Sequence, residues 1–200
     1  FFFCNSWLHS SVLHESAKPD KVIQGSHGWF YYQDDGSIAY YRRMSKIDSN
    51  LVNYVHQNFS ARIEWLKRRG IRFYMLVPPN KERIYPDYMP SRYVTIDGLG
   101  HNSLDFFKKM LDRLGIVHIL DPTDSLLAAR RRRDVYYQTD THWNTYGGFK
   151  GYQVLMSAIT KDFPSIKPFQ DEDFHFSEMY NSEGDLAAML GLSTVRKRKE

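Results

Sequence analysis

Between residues 48 and 77 the chain spells out a helix, a stop and a strand in immediate succession. No other feature narrows its possible folds as much. Asp48-Ser49-Asn50 offers side-chain oxygens for an N-cap. Behind it Leu51, Val55, Phe59, Ile63 and Leu66 recur every three or four residues, which puts them on one helical face. Lys67-Arg68-Arg69 loads the last turn with positive charge, and Gly70 stops the helix. Ile71 to Val77 follows as a short apolar run, the pattern of a buried parallel strand. The unit then recurs. Asn102 to Leu114 predicts a second helix, with Leu104, Phe107, Met110, Leu111 and Leu114 on one face and Gly115 as its stop. Ile116 to Leu120 predicts a second strand, ended by Asp121-Pro122. This is the α/β arrangement, in which ligands gather where strands end, and Pro78-Pro79-Asn80-Lys81 is the first such loop.

The remainder fits around that unit as one domain, a size that 200 residues suit. Residues 1–20 read as a lead-in, helical or looped. Lys21 to Tyr32 carries Val22, Ile23, Trp29, Phe30 and Tyr31 around Gly25 and Gly28, which predicts a strand pair with a tight turn and His27 facing water. Thr123 to Arg133 predicts a short helix. A longer one starts at Tyr146 or Gly147 and runs to about Lys161, with Gly147, Gly148 and Gly151 allowing close backbone approach. From Pro164 the chain is polar and irregular; Phe174-His175-Phe176 is expected to form an edge strand and 193–200 a polar tail.

Composition excludes several classes. The net charge of +4 comes from two runs, Arg130 to Arg133 and Arg196 to Lys199. Without those eight, 19 basic residues face 23 acidic ones, so the body is mildly acidic and carries no nucleic-acid footprint. The first run is expected to be a solvated helix end, the alternative being an anion contact. A single cysteine, Cys4, rules out an intramolecular disulfide. No stretch of 18 apolar residues occurs, so nothing here spans a bilayer as a helix. No His/Cys/Asp cluster has metal-ligand spacing, and neither a metal nor another cofactor is expected. The many Tyr and Phe residues suit either a sugar-binding groove or, more commonly, an ordinary core.

The chemistry concentrates in Tyr136-Tyr137-Gln138-Thr139-Asp140-Thr141-His142-Trp143-Asn144. In extended chain, positions i and i+2 point to the same side. Asp140 can therefore hold one ring nitrogen of His142 while the other is left to take a proton, the orienter-and-base half of a Ser-His-Asp device. The plainer alternative is a surface hydrogen bond or a helix cap.

Thr139-Asp-Thr-His-Trp-Asn144 resembles the signature of the SGNH-hydrolase-like domains of the alginate O-acetylation proteins, the AlgX/AlgJ group. Val77 to Pro86, Gly25-Ser-His-Gly-Trp-Phe-Tyr31 and Gly184-Asp-Leu-Ala-Ala-Met-Leu190 are similar to further stretches of that group, in the same order along the chain. The resemblance implies a flavodoxin-like three-layer α/β domain with a parallel central sheet, incomplete at its C-terminus. It implies polysaccharide O-acetyl transfer in which Asp140 orients His142 and His142 deprotonates first a serine and then a sugar hydroxyl. Trp143 and Asn144 are candidates for walling the site, and Asn80 or Lys81 for pointing into the cleft; the plainer alternatives are packing for Trp143 and a solvent-facing turn for Asn80 and Lys81. The partners it implies are an exported polysaccharide as acceptor and a membrane-bound O-acyltransferase supplying acetyl, with no nucleic acid. The location it implies is the periplasm or cell envelope, with any anchor outside these residues.

The family's Gly-Asp-Ser block is not among the 200 residues; Gly184-Asp185 is followed by Leu186. The nucleophile is therefore expected beyond the chain, which opens on Phe1 rather than Met and is expected to be a piece of a longer protein that is inactive alone. An acetyl-esterase of the same fold, and a non-catalytic glycan-binding or assembly module, are the alternatives.

Overall fold

The computed structural model describes residues 2–13, 15–42, 44, 48–95, 119–177, 180–181, 184–192 and 198–199. The expected helix at 102–114, its Gly115 stop and the first half of the strand at 116–120 lie outside the described residues. The lead-in is helical: α1 (Phe2–Trp7) runs into a wider turn over Leu8–Leu13.

The expected strand pair forms. Strand β1 (Val22–Gln24) pairs antiparallel with β2 (Phe30–Tyr32) in the register Val22–Tyr32, Ile23–Tyr31 and Gln24–Phe30. His27 sits in the turn, exposed, with φ +52°. Because strand side chains alternate, the hairpin divides its apolar residues between two cores. Ile23, Trp29 and Tyr31 join Ile84, Tyr85, Met89, Leu126, Val135 and Tyr136 on one face. Val22 and Phe30 join Leu186, Ala187, Leu190 and Leu192 on the other. Both faces are thus covered, and Trp29, Phe30 and Tyr31 are fully buried.

After the short α2 (Ser37–Tyr41), helix α3 (Ser49–Lys67) begins where the sequence predicts, with the Asp48 carboxylate accepting from the Asn50 N–H. It ends before Gly70, which sits at φ +68°, a left-handed conformation that only glycine adopts at no steric cost. The strand after it is shorter than expected. Among the described residues the paired part is β3 (Met75–Leu76), in parallel with β4 (Ile119–Leu120), while Ile71 and Phe73 stand about half exposed. The expected parallel central sheet is therefore represented, among the described residues, by this one two-strand pair. A strand needs neighbours on both edges and cover on both faces to be buried along its length, and Ile71 to Tyr74 have no ladder partner among the described residues.

The loop after β3 makes one helical turn, α4 (Lys81–Ile84), and then α5 (Thr123–Ala129) follows β4. Of the arginines beyond α5, Arg131 and Arg132 are exposed as expected, while Arg130 and Arg133 are partly buried. The Arg130 guanidinium bonds the Ile84 carbonyl and the Asp87 carboxylate, and Arg133 donates to the Phe176 carbonyl at 3.3 Å. Helix α6 (Thr145–Asp162) starts within a residue of its expected position. Phe174 to Phe176 makes no strand. Its rings pack edge-on instead, Phe174 against Phe149 and Phe176 against Tyr146, each with centroids 5.0 Å apart. Helix α7 (Asp185–Met189) closes the second core, and β5 (Tyr180–Asn181) pairs antiparallel with β6 (Arg198–Lys199) inside the expected polar tail. No described helix is long and apolar enough to cross a membrane.

Candidate active site

Residues 136–143 form a closed loop, pinched by a bridge between Tyr136 and Trp143 and by the Asn144 N–H bonding the Val135 carbonyl at 3.0 Å. Its backbone carbonyls point to donors from three other elements. Phe30 of β2 donates its N–H to the Gln138 carbonyl at 2.8 Å. Leu186 and Ala187 of α7 both donate to the Thr139 carbonyl at 3.1 Å. Lys81 of α4 donates its ammonium to the carbonyls of Tyr137, Gln138 and Asp140 at 3.0, 3.2 and 2.5 Å. A loop without a regular ladder needs such partners for its buried carbonyls. Here they come from every side and fix the backbone that carries Asp140 and His142.

On that frame Asp140 and His142 meet. Asp140 Oδ1 lies 2.7 Å from His142 Nδ1 and also accepts the His142 backbone N–H at 2.9 Å. Its second oxygen accepts the Asp185 N–H at 3.0 Å. Burial alone would raise the Asp140 carboxyl, but the two backbone donors and the ring outweigh it and hold it below the usual carboxylate range. The carboxylate is shielded, 17% exposed, while the His142 side chain is 74% exposed. With Nδ1 engaged, Nε2 is the nitrogen left to face a reactant. Among the described residues the only hydroxyl bonded to the ring belongs to Thr141, 3.2 Å from Nδ1.

The other expected site residues are placed differently. Lys81 is 3% exposed and lies beneath the loop rather than in a cleft. Its nitrogen also sits 5.7 and 5.5 Å from the ring centroids of Trp29 and Tyr31. Burial lowers its pKa to about 7, against the pull of the Asp185, Asp140 and Glu82 carboxylates. Glu82 beside it is buried too, which raises its pKa although its own N–H, Asn80 and Ser37 bond it. Asn80 is exposed, at the N-cap of α4. Asn144 is buried and caps α6: Oδ1 accepts the Gly147 N–H at 2.9 Å and Nδ2 donates to the Asp134 carbonyl at 2.8 Å. Trp143 packs over α6 into the room left at Gly151, where a Cβ would come within 2.7 Å of the indole.

Asp185 was not anticipated in the site. Its Oδ1 accepts the Thr141 N–H at 2.8 Å, its Oδ2 accepts the Thr141 hydroxyl at 2.5 Å, and Oδ2 lies 3.9 Å from His142 Nδ1. The sequence signal was the Gly184-Asp185 pair itself. A Cβ on Gly184 would stand 2.1 Å from the Thr139 carbonyl oxygen, so only glycine lets α7 approach the loop this closely. Asp140, His142 and Asp185 also present ligand atoms within 4.8 Å of one another, close enough to share a cation. Such an ion would displace the hydrogen bond that orients the imidazole. Three tyrosines near the loop are core residues: Tyr31, Tyr85 and Tyr136 are buried, and their hydroxyls bond the Tyr85 carbonyl, Asp134 and the Pro79 carbonyl. A separate cavity of about 290 Å³ between α5 and α6, lined in part by Arg132, Tyr146 and Lys150, contains neither Asp140 nor His142.

The family model described as "SGNH hydrolase-like domain, acetyltransferase AlgX" matches residues 22–200. The probable alginate O-acetylase AlgJ of Pseudomonas aeruginosa is 28% identical over 196 residues, which cover 96% of this chain and 46% of the relative. Two solved structures share the fold. AlgX of Pseudomonas aeruginosa superposes with a TM-score of 0.61 at 14% identity, covering 89% of this chain and 42% of AlgX. Bacillus cereus PatB1, solved with a sulfonyl adduct, gives 0.59 at 21% identity, covering 80% and 51%. The chain spans less than half the length of the curated relatives it matches.

Proposed function

Because the chain belongs to the SGNH hydrolase-like acetyltransferase family typified by AlgX, we propose that it carries the acid/base half of a polysaccharide O-acetyltransferase. The observation that carries this reading is the 2.7 Å Asp140–His142 pair with its ring open to solvent. The names of the relatives supply the substrate class: an alginate-like polysaccharide. The nucleophile is a serine outside this chain.

The geometry supports the following roles. Asp140 fixes the imidazole with Nδ1 toward the protein, so Nε2 takes the serine proton as the serine oxygen bonds the acetyl carbon. The donor's carbon–oxygen bond then breaks, and the imidazolium returns the proton to the departing oxygen. In the second half Nε2 takes the proton of a sugar hydroxyl, that oxygen takes the acetyl carbon, and the serine oxygen leaves with the proton. Asp140 stays ionised throughout and stabilises the imidazolium. Trp143, Asn144 and Lys81 act on this site by building it: Asn144 caps the helix after the loop, Trp143 wedges against that helix and Lys81 anchors the loop from below, whereas Asn80 bonds Glu82 at the start of α4. Acetyl reaches the enzyme from a membrane-bound O-acyltransferase, and the work takes place outside the cytoplasm, on an exported polymer.

The test uses full-length protein, p-nitrophenyl acetate as donor and alginate oligosaccharides as acceptor. Acceptor-dependent acetyl transfer and an acetyl-serine intermediate are expected, and His142→Ala should lower the rate by about 10³–10⁴-fold while leaving the fold intact. Near-normal transfer by that variant would refute the assignment. The exposed ring also admits water, which favours a second reading as an esterase; release of acetate that no acceptor diverts would establish it.

A further inference from the structure

We propose that Asp185 is a positioning residue of this site, a second carboxylate that latches the Asp140–His142 pair and supports the imidazolium from its Nδ1 side. The inference rests on the acid/base role proposed for His142. It comes from a reciprocal clasp between α7 and the site loop. Asp185 gives its backbone N–H to Asp140 Oδ2 at 3.0 Å, so the orienting carboxylate has both oxygens held. In return, both Asp185 carboxylate oxygens take donors from Thr141, the residue between Asp140 and His142. Thr141 thus cannot turn without breaking two bonds, and the dihedrals that bring residues 140 and 142 together are fixed at the one position between them.

The same carboxylate has an electrostatic consequence. At 3.9 Å from Nδ1, Asp185 Oδ2 faces the ring edge that Asp140 also faces. When Nε2 takes a proton, the positive charge has two carboxylates on its Nδ1 edge, one in direct hydrogen-bond contact and one just outside it. Among the described residues, Lys81 is a cation that interacts with both the Asp140 and Asp185 carboxylates. Its ammonium bonds the Asp140 backbone carbonyl, on the far side of the loop from the exposed ring. Asp185 is one-third exposed, so its effect is partly screened and smaller than that of Asp140.

Asp185→Asn separates the clasp from the charge, because the amide oxygen can still accept the Thr141 N–H. In full-length protein with p-nitrophenyl acetate and alginate oligosaccharides, Asp185→Asn should lower kcat by about ten- to a hundred-fold. KM should be unchanged, and the acid limb of the pH–rate profile should move toward lower pH. Thr141→Val, which removes the hydroxyl and keeps the carboxylate, should lower kcat by several-fold and leave the acid limb in place. It also serves as the test should Asp185→Asn fail to fold. Wild-type kcat, KM and profile in a folded Asp185→Asn protein overturn the inference, as does a Thr141→Val protein with wild-type kcat where it is the test. So does a fall in kcat matched by a fall in folded fraction, with no movement of the profile. A dead His142→Ala alongside a normal Asp185→Asn removes Asp185 alone, whereas an active His142→Ala removes the acid/base reading with it.

Discussion

The Lys81 ammonium is held by three carbonyls of the loop that carries Asp140 and His142, and burial lowers its pKa to about 7. In the unfolded chain a lysine titrates near ~10.4. Between those values the unfolded state binds more protons, so this residue makes stability rise with pH across the window, by up to about 1.4 kcal/mol per pH unit. Below pH 7 both states are protonated and the folded protein bears the full cost of the buried charge. Glu82, raised by burial, acts in the opposite sense starting from its ordinary carboxylate range. Tyr31, Tyr85 and Tyr136, also raised by burial, act only in the alkaline range of phenols. Lys81→Met removes the Lys81 contribution alone. Urea unfolding of both proteins from pH 7 to 10 should show the wild-type advantage growing with pH. Near pH 9 it should reach about 3 kcal/mol, because the variant leaves buried carbonyls without donors. A difference that stays flat with pH would mean that the ammonium is not titrating in that window. Sequence alone left Lys81 as a cleft or surface residue. A lysine is exposed by default, and nothing adjacent in the chain announces three converging carbonyls more than fifty residues away.

At the scale of elements, the boundaries that the sequence marked with short-range chemistry are the ones the fold keeps. Asp48 caps α3 and Gly70 ends it, each through an interaction within three or four residues. Asn144, which the sequence offered as a wall of the site, opens α6. Asn144 does more than cap, because its amide nitrogen ties α6 back to the Asp134 carbonyl. Asn144→Ala should therefore cost about 2 kcal/mol in urea denaturation, the upper end for a lost cap. Asn144→Ser, which keeps a capping oxygen but cannot reach Asp134, should recover about half of that. Equal losses in both variants would show that the cap contributes nothing. The strand at Ile71 to Val77 was legible as apolar but not in extent, because paired length depends on where the neighbouring strand runs. The expected strand at Phe174 failed for a related reason: aromatic rings at alternating positions also satisfy packing against a helix, and here Phe149 and Tyr146 of α6 receive them.

At the scale of the whole molecule, the hairpin is a wall shared by two cores, and the site loop is bonded to that wall, to α4 and to α7. Gly184 is where the second core meets the loop. Gly184→Ala places a methyl group against the Thr139 backbone, which cannot yield without carrying Asp140 with it. A loss of about 2 kcal/mol, seen as a fall in Tm of about 6 °C, is expected. It should come with weakened acetyl transfer in the full-length protein, and an unchanged Tm would show that α7 docks more loosely than this geometry requires. Short-range pattern in the chain was enough for the capped helix α3, the hairpin and the meeting of Asp140 with His142, because each is set by periodicity or by residues a few positions apart. Packing was needed to show that Lys81 anchors from below, that Asn144 and Trp143 serve α6, and that Asp185 joins the site from 45 residues away. Those placements follow from which carbonyls and ring edges converge once separate elements pack, and that convergence is written in no single stretch of the chain.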